Sequence, residues 1–156
     1  MKISTRMRYG ARAMVELARS GQGKPLAIQW IASRQQISPS YLEQLLAKLR
    51  KAGLVKSYKG PVGGYMLARS PEEITLLDVF IALEGKIGLV HCMMPQNPQC
   101  ERIDYCVMRL FWNRFQQTIE QFLKSITVSE LLEKENELFS KTGAKKPRRM
   151  KRVKRC

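Results

Sequence analysis

The chain has 156 residues and a mass of 18.0 kDa, enough for one domain or one domain with an arm, and too little for a large multidomain enzyme. Hydrophobic residues make up 44% and charged residues 26%, which excludes a disordered or collagen-like chain. Lys plus Arg number 28 against 13 acids, a formal net charge of +15, and such an excess calls for a polyanionic partner, nucleic acid or an anionic membrane surface.

The charge is unevenly placed. Residues 1–71 hold 13 Lys/Arg and two acids, Glu16 and Glu43, a net of +11. Residues 72–140 hold six Lys/Arg and 11 acids, a net of −5, and residues 141–156 hold nine Lys/Arg and no acid. The first part is therefore expected to meet the polyanion and the second to do something else. No run approaches the 18 or so apolar residues of a membrane span, and MKISTRMRYGARAM lacks the apolar core of a secretory signal. A cytosolic protein is expected, with no membrane partner and with Cys92, Cys100, Cys106 and Cys156 as thiols or metal ligands rather than disulfides.

Ala11, Met14, Val15 and Ala18 recur at helical spacing, with Arg8, Arg12, Glu16 and Arg19 between them, and predict a first helix ending near Gly21 and Gly23. Lys24-Pro25 leads into a short second helix carrying Leu26, Ile28, Ile31 and Ala32. Ser38 is then an N-cap and Pro39 a first-turn proline for a third helix over residues 39–51, with Leu42, Leu45, Leu46 and Leu49 on one face. Two short β-prone runs follow, Leu54 to Tyr58 and Tyr65 to Arg69, around a Lys59-Gly60-Pro61-Val62-Gly63-Gly64 turn. Three helices and a basic hairpin make a winged helix-turn-helix. Thr75 and Asp78 form a capping box for a fourth helix from Leu76 to Leu83, stopped by Gly85. A cysteine-bearing loop fills roughly residues 86–104.

Tyr105 to Ser125 is the most regular segment. Met108, Trp112, Phe115, Ile119, Phe122 and Ile126 step by fours and threes, an a/d seam of nearly three heptads. Either this helix packs on its own domain or it pairs with a second copy. Pairing is favoured, because a basic reading half of about 70 residues offers little surface for so large an aromatic stripe and DNA readers of this kind usually work as dimers. Thr127 and Glu130 cap a last short helix to about Phe139, and KTGAKKPRRMKRVKRC reads as a disordered basic tail. The expected fold is thus mainly α. A winged helix-turn-helix at 1–84 is followed by a cysteine loop at 85–104, a dimerisation helix with a closing helix at 105–139, and a tail at 140–156.

In a helix-turn-helix the start of the second helix of the motif enters the major groove, which here means Ser38, Ser40, Tyr41, Glu43 and Gln44. Gln can pair with adenine, Glu can accept from cytosine N4, and hydroxyls serve bases or phosphates. An acid at that entrance repels phosphate unless a base amine receives it, so Glu43 is expected to discriminate among sequences; a merely solvated helix face is the alternative. The wing, with Lys59, Gly60 and Pro61, is expected to follow the minor groove, where Gly60, Gly63 and Gly64 allow close backbone approach. The turn lacks the Lys and Ser/Thr of a P-loop, which argues against nucleotide binding.

Cys92-x7-Cys100-x5-Cys106 puts three thiols within 15 residues. The spacing does not fit the close Cys pairs of zinc fingers, and iron-sulfur clusters tolerate more varied spacing. Free cysteines, or a thiol sensor that oxidises without metal, remain as alternatives. An iron-sulfur redox carrier or enzyme is disfavoured by the absence of any cofactor motif or Ser/His arrangement and by the single histidine.

Over residues 1–139 the chain resembles the Rrf family of winged-helix transcription factors, the IscR/NsrR type. The resemblance is carried by MKISTRMRYGARAM, by ISPSYLEQLLAKLRKAGLVKSYKGPVGGYML, by the three cysteines and by TVSELL. It implies a homodimeric repressor or activator. It also implies a 2Fe-2S or 4Fe-4S cluster on Cys92, Cys100 and Cys106, and DNA contacts from Ser38, Ser40, Tyr41, Glu43, Gln44 and the wing. Two departures stand out. Lys59 replaces the usual wing arginine, and Arg109 stands where IscR-like members place a histidine ligand. Arg8 likewise stands near where nitric-oxide-sensing members place an aspartate. His91, Glu101, Asp104, Cys156 or an exogenous ligand remain as the fourth ligand.

Overall fold

The computed structural model describes residues 3–21, 24–60, 63–93 and 100–143. Among these residues six α-helices and one hairpin run in the order α1 (Thr5–Ser20), α2 (Ile28–Gln35), α3 (Pro39–Lys51), β1 (Val55–Tyr58), β2 (Gly64–Leu67), α4 (Leu76–Glu84), α5 (Val107–Ser125) and α6 (Val128–Thr142), with short 3-10 turns at Pro71–Glu73 and His91–Met93.

Four of the six helices begin at a capping side chain, whereas α2 and α5 start at Ala27 and Cys106 without one. Ser4, Ser38, Thr75 and Thr127 offer side-chain oxygens to the backbone N–H groups of Met7, Tyr41, Asp78 and Glu130, satisfying donors that a helix start leaves free. The Thr75 cap is reciprocal, since the Asp78 carboxylate accepts from Thr75 N at 2.9 Å. The cap at Ser4 carries α1 three residues earlier than the apolar periodicity predicts. At the far end, α6 runs past Phe139 to Thr142 and stops at Gly143, whose φ of 64° closes the helix in the left-handed region.

The second helix differs from the sequence expectation at its start. Leu26 is not helical. It forms an antiparallel bridge with Tyr65, exchanging N–H to carbonyl bonds of 2.9 Å in both directions. The segment before α2 thereby becomes a third, one-residue strand beside the hairpin, which pairs Val55 with Leu67 and Tyr58 with Gly64. Gly64 is required there, because a Cβ at that position would lie 2.2 Å from the Leu26 carbonyl oxygen.

Ala13, Met14 and Leu17 of α1, Ile31 of α2, the four leucines of α3, and Val79 and Leu83 of α4 form one core, which Val128 of α6 joins with no exposed surface. Gly10 lets α4 approach α1, since a Cβ there would collide with Leu83. The α5–α6 junction is fixed by a bridge between Thr75 and Thr127, with Leu76 N donating to Ile126 O at 2.8 Å and Val128 N to Ile74 O at 2.9 Å.

The seam on α5 also differs from its predicted register. Trp112, Ile119 and Leu123 are half-buried, on the side of the helix turned to its own protomer, while Met108, Phe111, Phe115 and Phe122 are exposed, Phe122 at 64%. The predicted a/d pattern merged two adjacent apolar faces. Ile119 and Leu123 belong to the inner one and Phe111 and Phe122 to the outer one, with the Trp112 ring between them against Phe111 and Phe115.

Candidate nucleic-acid interface and cysteine loop

The four buried leucines hold α3 against the core, so its opposite side is presented outward. Ser40, Glu43 and Gln44 are exposed there and make no intramolecular hydrogen bond or ion pair among the described residues. Ser38 is exposed, but its hydroxyl accepts from Tyr41 N at 3.2 Å and so caps the helix. Tyr41 is half-buried. It donates to Thr5 Oγ1 at 3.4 Å and meets the Tyr9 ring edge-on with centroids 6.2 Å apart. Of the five predicted reading residues, three are thus free for DNA and two also hold the helix start in place.

Lys59 and Gly60 are exposed on the wing, Gly60 with φ 112°, whereas Pro61 lies outside the described residues. Gly63 and Gly64 owe their small size to the protein itself: a Cβ on Gly63 would lie 2.5 Å from the Tyr58 carbonyl oxygen. A groove of about 370 Å³ runs between α3 and the hairpin, lined by Glu43, Arg50, Tyr58, Lys59 and Gly60 among others. Arg50, which sequence reasoning missed, donates to Ser57 Oγ at 3.1 Å and ties α3 to the first wing strand.

The cysteine loop starts from a well-tied point. The last residue of α4, Glu84, accepts hydrogen bonds from Ser4 Oγ and from Arg6 Nη2, the latter at 3.1 Å. One residue earlier, the Leu83 carbonyl accepts from Lys48 Nζ of α3 at 3.2 Å. The chain therefore enters the loop from a helix end bonded to both α1 and α3. No short-range pattern announces this, because the partners are 35 to 80 residues apart in sequence.

Cys92, Cys100 and Cys106 are free thiols and half-buried, with Cys106 at the N-cap of α5. Three cysteine sulfurs are the right donor type for an iron-sulfur cluster. Among the described residues no three His, Cys, Asp or Glu side chains gather into a metal-binding group, and residues 94–99, between the first two cysteines, lie outside the description. Arg109 supplies no ligand atom. Its Nη1 donates to the Ile103 carbonyl at 3.3 Å and its Nε is buried without a partner, so it braces the turn between Cys100 and Cys106. Glu101 and Asp104 are exposed, and the side chain of His91 and all of Cys156 fall outside the described residues. The donor set fits a cluster in kind, with no fourth protein ligand identified.

One carboxylate has a displaced titration. A hydrogen bond from its own backbone holds Glu72 below the ordinary range, with Ser129 and Ser70 hydroxyls acting in the same direction against desolvation. Glu72 thereby accepts from Ser129 of α6 at 3.1 Å and helps seat that helix.

Exposed polar side chains at the start of α3 and a glycine-tipped basic wing beside them, on a three-helix core, define a winged-helix DNA-binding regulator. The chain belongs to the Rrf2 family, described as iron-dependent transcriptional regulators, whose model matches residues 3–134. It is 40% identical to the protein rrf2 of Nitratidesulfovibrio vulgaris over 132 residues, 85% of this chain and 87% of that one. Two solved structures superpose over most of their length. IscR of T. potens does so with a TM-score of 0.72 at 39% identity, covering 88% of this chain and 90% of that one. CymR, the global cysteine regulator of B. subtilis, does so with a TM-score of 0.70 at 38% identity, covering 85% and 97%. No helix among the described residues is long and apolar enough to cross a membrane.

Proposed function

We propose that this transcriptional regulator is a homodimeric, sequence-specific repressor in the cytoplasm, and that an iron-sulfur cluster held by Cys92, Cys100 and Cys106 controls its grip on a double-stranded DNA operator. Residues 1–84 read DNA through Ser38, Ser40, Tyr41, Glu43, Gln44 and a wing of Lys59, Gly60 and Pro61. Residues 85–104 carry the cluster loop, and 105–139 pair the protomers. The carrying observation is that three half-buried thiols span the one segment joining the tied end of α4 to the first turn of α5, whose outer apolar face is uncovered.

When bound, a cluster supplies a link, sensitive to redox state and to cluster supply, between the two ends of the loop. The protein's own groups do the rest. Glu84 and the Leu83 carbonyl pass the position of the loop to Ser4 and Arg6 on α1 and to Lys48 on α3. Thr5, next to Ser4, meets Tyr41 at the start of the reading helix. A shift in loop ordering thus biases the reading head between two settings, which is population shift rather than a new contact with DNA.

Arg109 favours a second reading, direct thiol oxidation without metal, because a guanidinium stands beside the loop where no ligand atom is offered. The likenesses to IscR and to a global cysteine regulator are nearly equal in extent and favour neither reading over the other. Spectra with iron and acid-labile sulfide analysis of anaerobically purified protein separate the two. Brown protein with charge-transfer absorption and bound iron is expected. Colourless, iron-free protein whose DNA affinity changes on peroxide treatment establishes the thiol sensor instead.

A further inference from the structure

The first helix carries cations that neither the reading helix nor the wing uses. Thr5, Arg8, Tyr9 and Arg12 stand at i, i+3, i+4 and i+7 and share one face of α1. That face adjoins the start of α3, through the Tyr41 to Thr5 hydrogen bond and the edge-on contact of Tyr41 with Tyr9. The Arg8 guanidinium lies 5.0 Å from the centroid of the Tyr9 ring and that of Arg12 lies 6.0 Å away, so one half-buried ring seats both. Both arginines are exposed. Among the described residues the ion pairs made by α1 arginines belong to Arg6 and Arg19, and neither Arg8 nor Arg12 meets a carboxylate.

We infer that Arg8 and Arg12, seated on Tyr9, form a phosphate clamp that grips the DNA backbone flanking the groove entered by α3. Two independent features point to an external anion. The first turn of α1 contains no acid, and while Arg6 is answered by Glu84, Arg8 stands without a carboxylate at the end of the helix where the dipole disfavours a cation, a cost that a docked polyanion reverses. The aromatic seat also limits the freedom of the guanidinium groups, so less entropy is lost when their planar forks close on phosphate oxygens. The inference deepens the proposed DNA reading and rests on α3 being the helix in the groove.

The test is a set of affinity titrations against monovalent salt, using a mixed-sequence duplex and an operator obtained by in vitro selection. Each phosphate neutralised contributes about 0.9 to the slope of log affinity on log salt. The double variant Arg8→Ala/Arg12→Ala should flatten the slope by about 1.8 per bound protomer and weaken binding about 60-fold per protomer near 0.1 M salt, equally for both duplexes. Arg8→Lys/Arg12→Lys should keep the slope. Lys134→Ala/Lys141→Ala, which removes the same charge from α6, should also leave it unchanged. An unchanged slope in the double alanine variant, with circular dichroism showing intact helices, overturns the clamp. So does an equal loss in the α6 control, which would reduce the effect to net charge. Gln44→Ala separates the two claims: a flattened slope in the arginine variant, with operator preference untouched by Gln44→Ala, would put α1 on phosphate but remove α3 from the groove beside it.

Discussion

Glu43 and Glu16 are the only acids among the first 71 residues, and the fold puts them to opposite uses. Glu43 is exposed on the reading helix at the edge of the wing groove. Its replacement by Ala should leave affinity for mixed-sequence DNA equal or higher, by relieving phosphate repulsion, and should cost about 1–3 kcal/mol of discrimination at one base pair. Competition between selected and scrambled duplexes measures both. Glu16 is 3% exposed, with Arg34 Nη2 at 2.7 Å from one oxygen and Arg19 Nε at 3.4 Å from the other. Periodicity alone puts Glu16 on the polar face of α1, because its partner Arg34 is 18 residues away and Arg19 also pairs with Glu135 of α6. Glu16→Ala leaves two arginines short of a partner. Both keep 18% of their side chains in solvent, which softens the penalty to about 2 kcal/mol, read as a lowered urea midpoint.

At the scale of elements, what sequence made legible and what it hid divide along local and long-range chemistry. The start of α3, the hairpin and the Thr75 box follow from caps, turn residues and apolar spacing within a few residues. The Leu26 to Tyr65 bridge does not, since a one-residue strand has no periodicity to detect. Gly64 is its visible trace. Gly64→Ala should force the wing off Leu26 and cost about 2–4 kcal/mol, with the greatest gain in amide exchange at Leu26 and Tyr65. On α5 the heptad count could not separate a face packed inward from one left open. The two now predict different failures. Phe115→Asp, on the outer face, should yield a folded monomer by sedimentation, because an unpaired carboxylate in a pairing surface costs several kcal/mol. Ile119→Asp, on the inner face, should lower the protomer's own Tm. A Phe115→Asp protein that still sediments as a stable dimer would put the pairing surface elsewhere.

Across the whole molecule, the core and the cysteine loop are separate enterprises. None of the three cysteines belongs to the buried cluster that runs from Met7 to Val128. Single replacement of Cys92, Cys100 or Cys106 by Ala should therefore abolish bound iron while changing Tm little. Full iron and sulfide in Cys100→Ala would refute the ligand set. The spacing of the three thiols predicts a common site, but among the described residues no such group is assembled, since the stretch between Cys92 and Cys100 lies outside them. The bracing role of Arg109 could not be seen from sequence, because it depends on the Ile103 carbonyl lying within its reach.

The bridge between Thr75 and Thr127 has a mechanical consequence. It fastens one end of α5 to the body of the protomer, while the other end carries Cys106. A helix of 19 residues is about 28 Å long, so a tilt of about 10° about the fastened end swings the cysteine end through roughly 5 Å. In a dimer joined along α5, the same rotation is imposed on the two bodies that hang from the fulcrums. Recognition helices that must land about 34 Å apart, one turn of DNA, cannot absorb a displacement of that size, which equals about one and a half base-pair steps. A tilt of about 10° at a single pivot is then enough to put one half-site out of phase with the other.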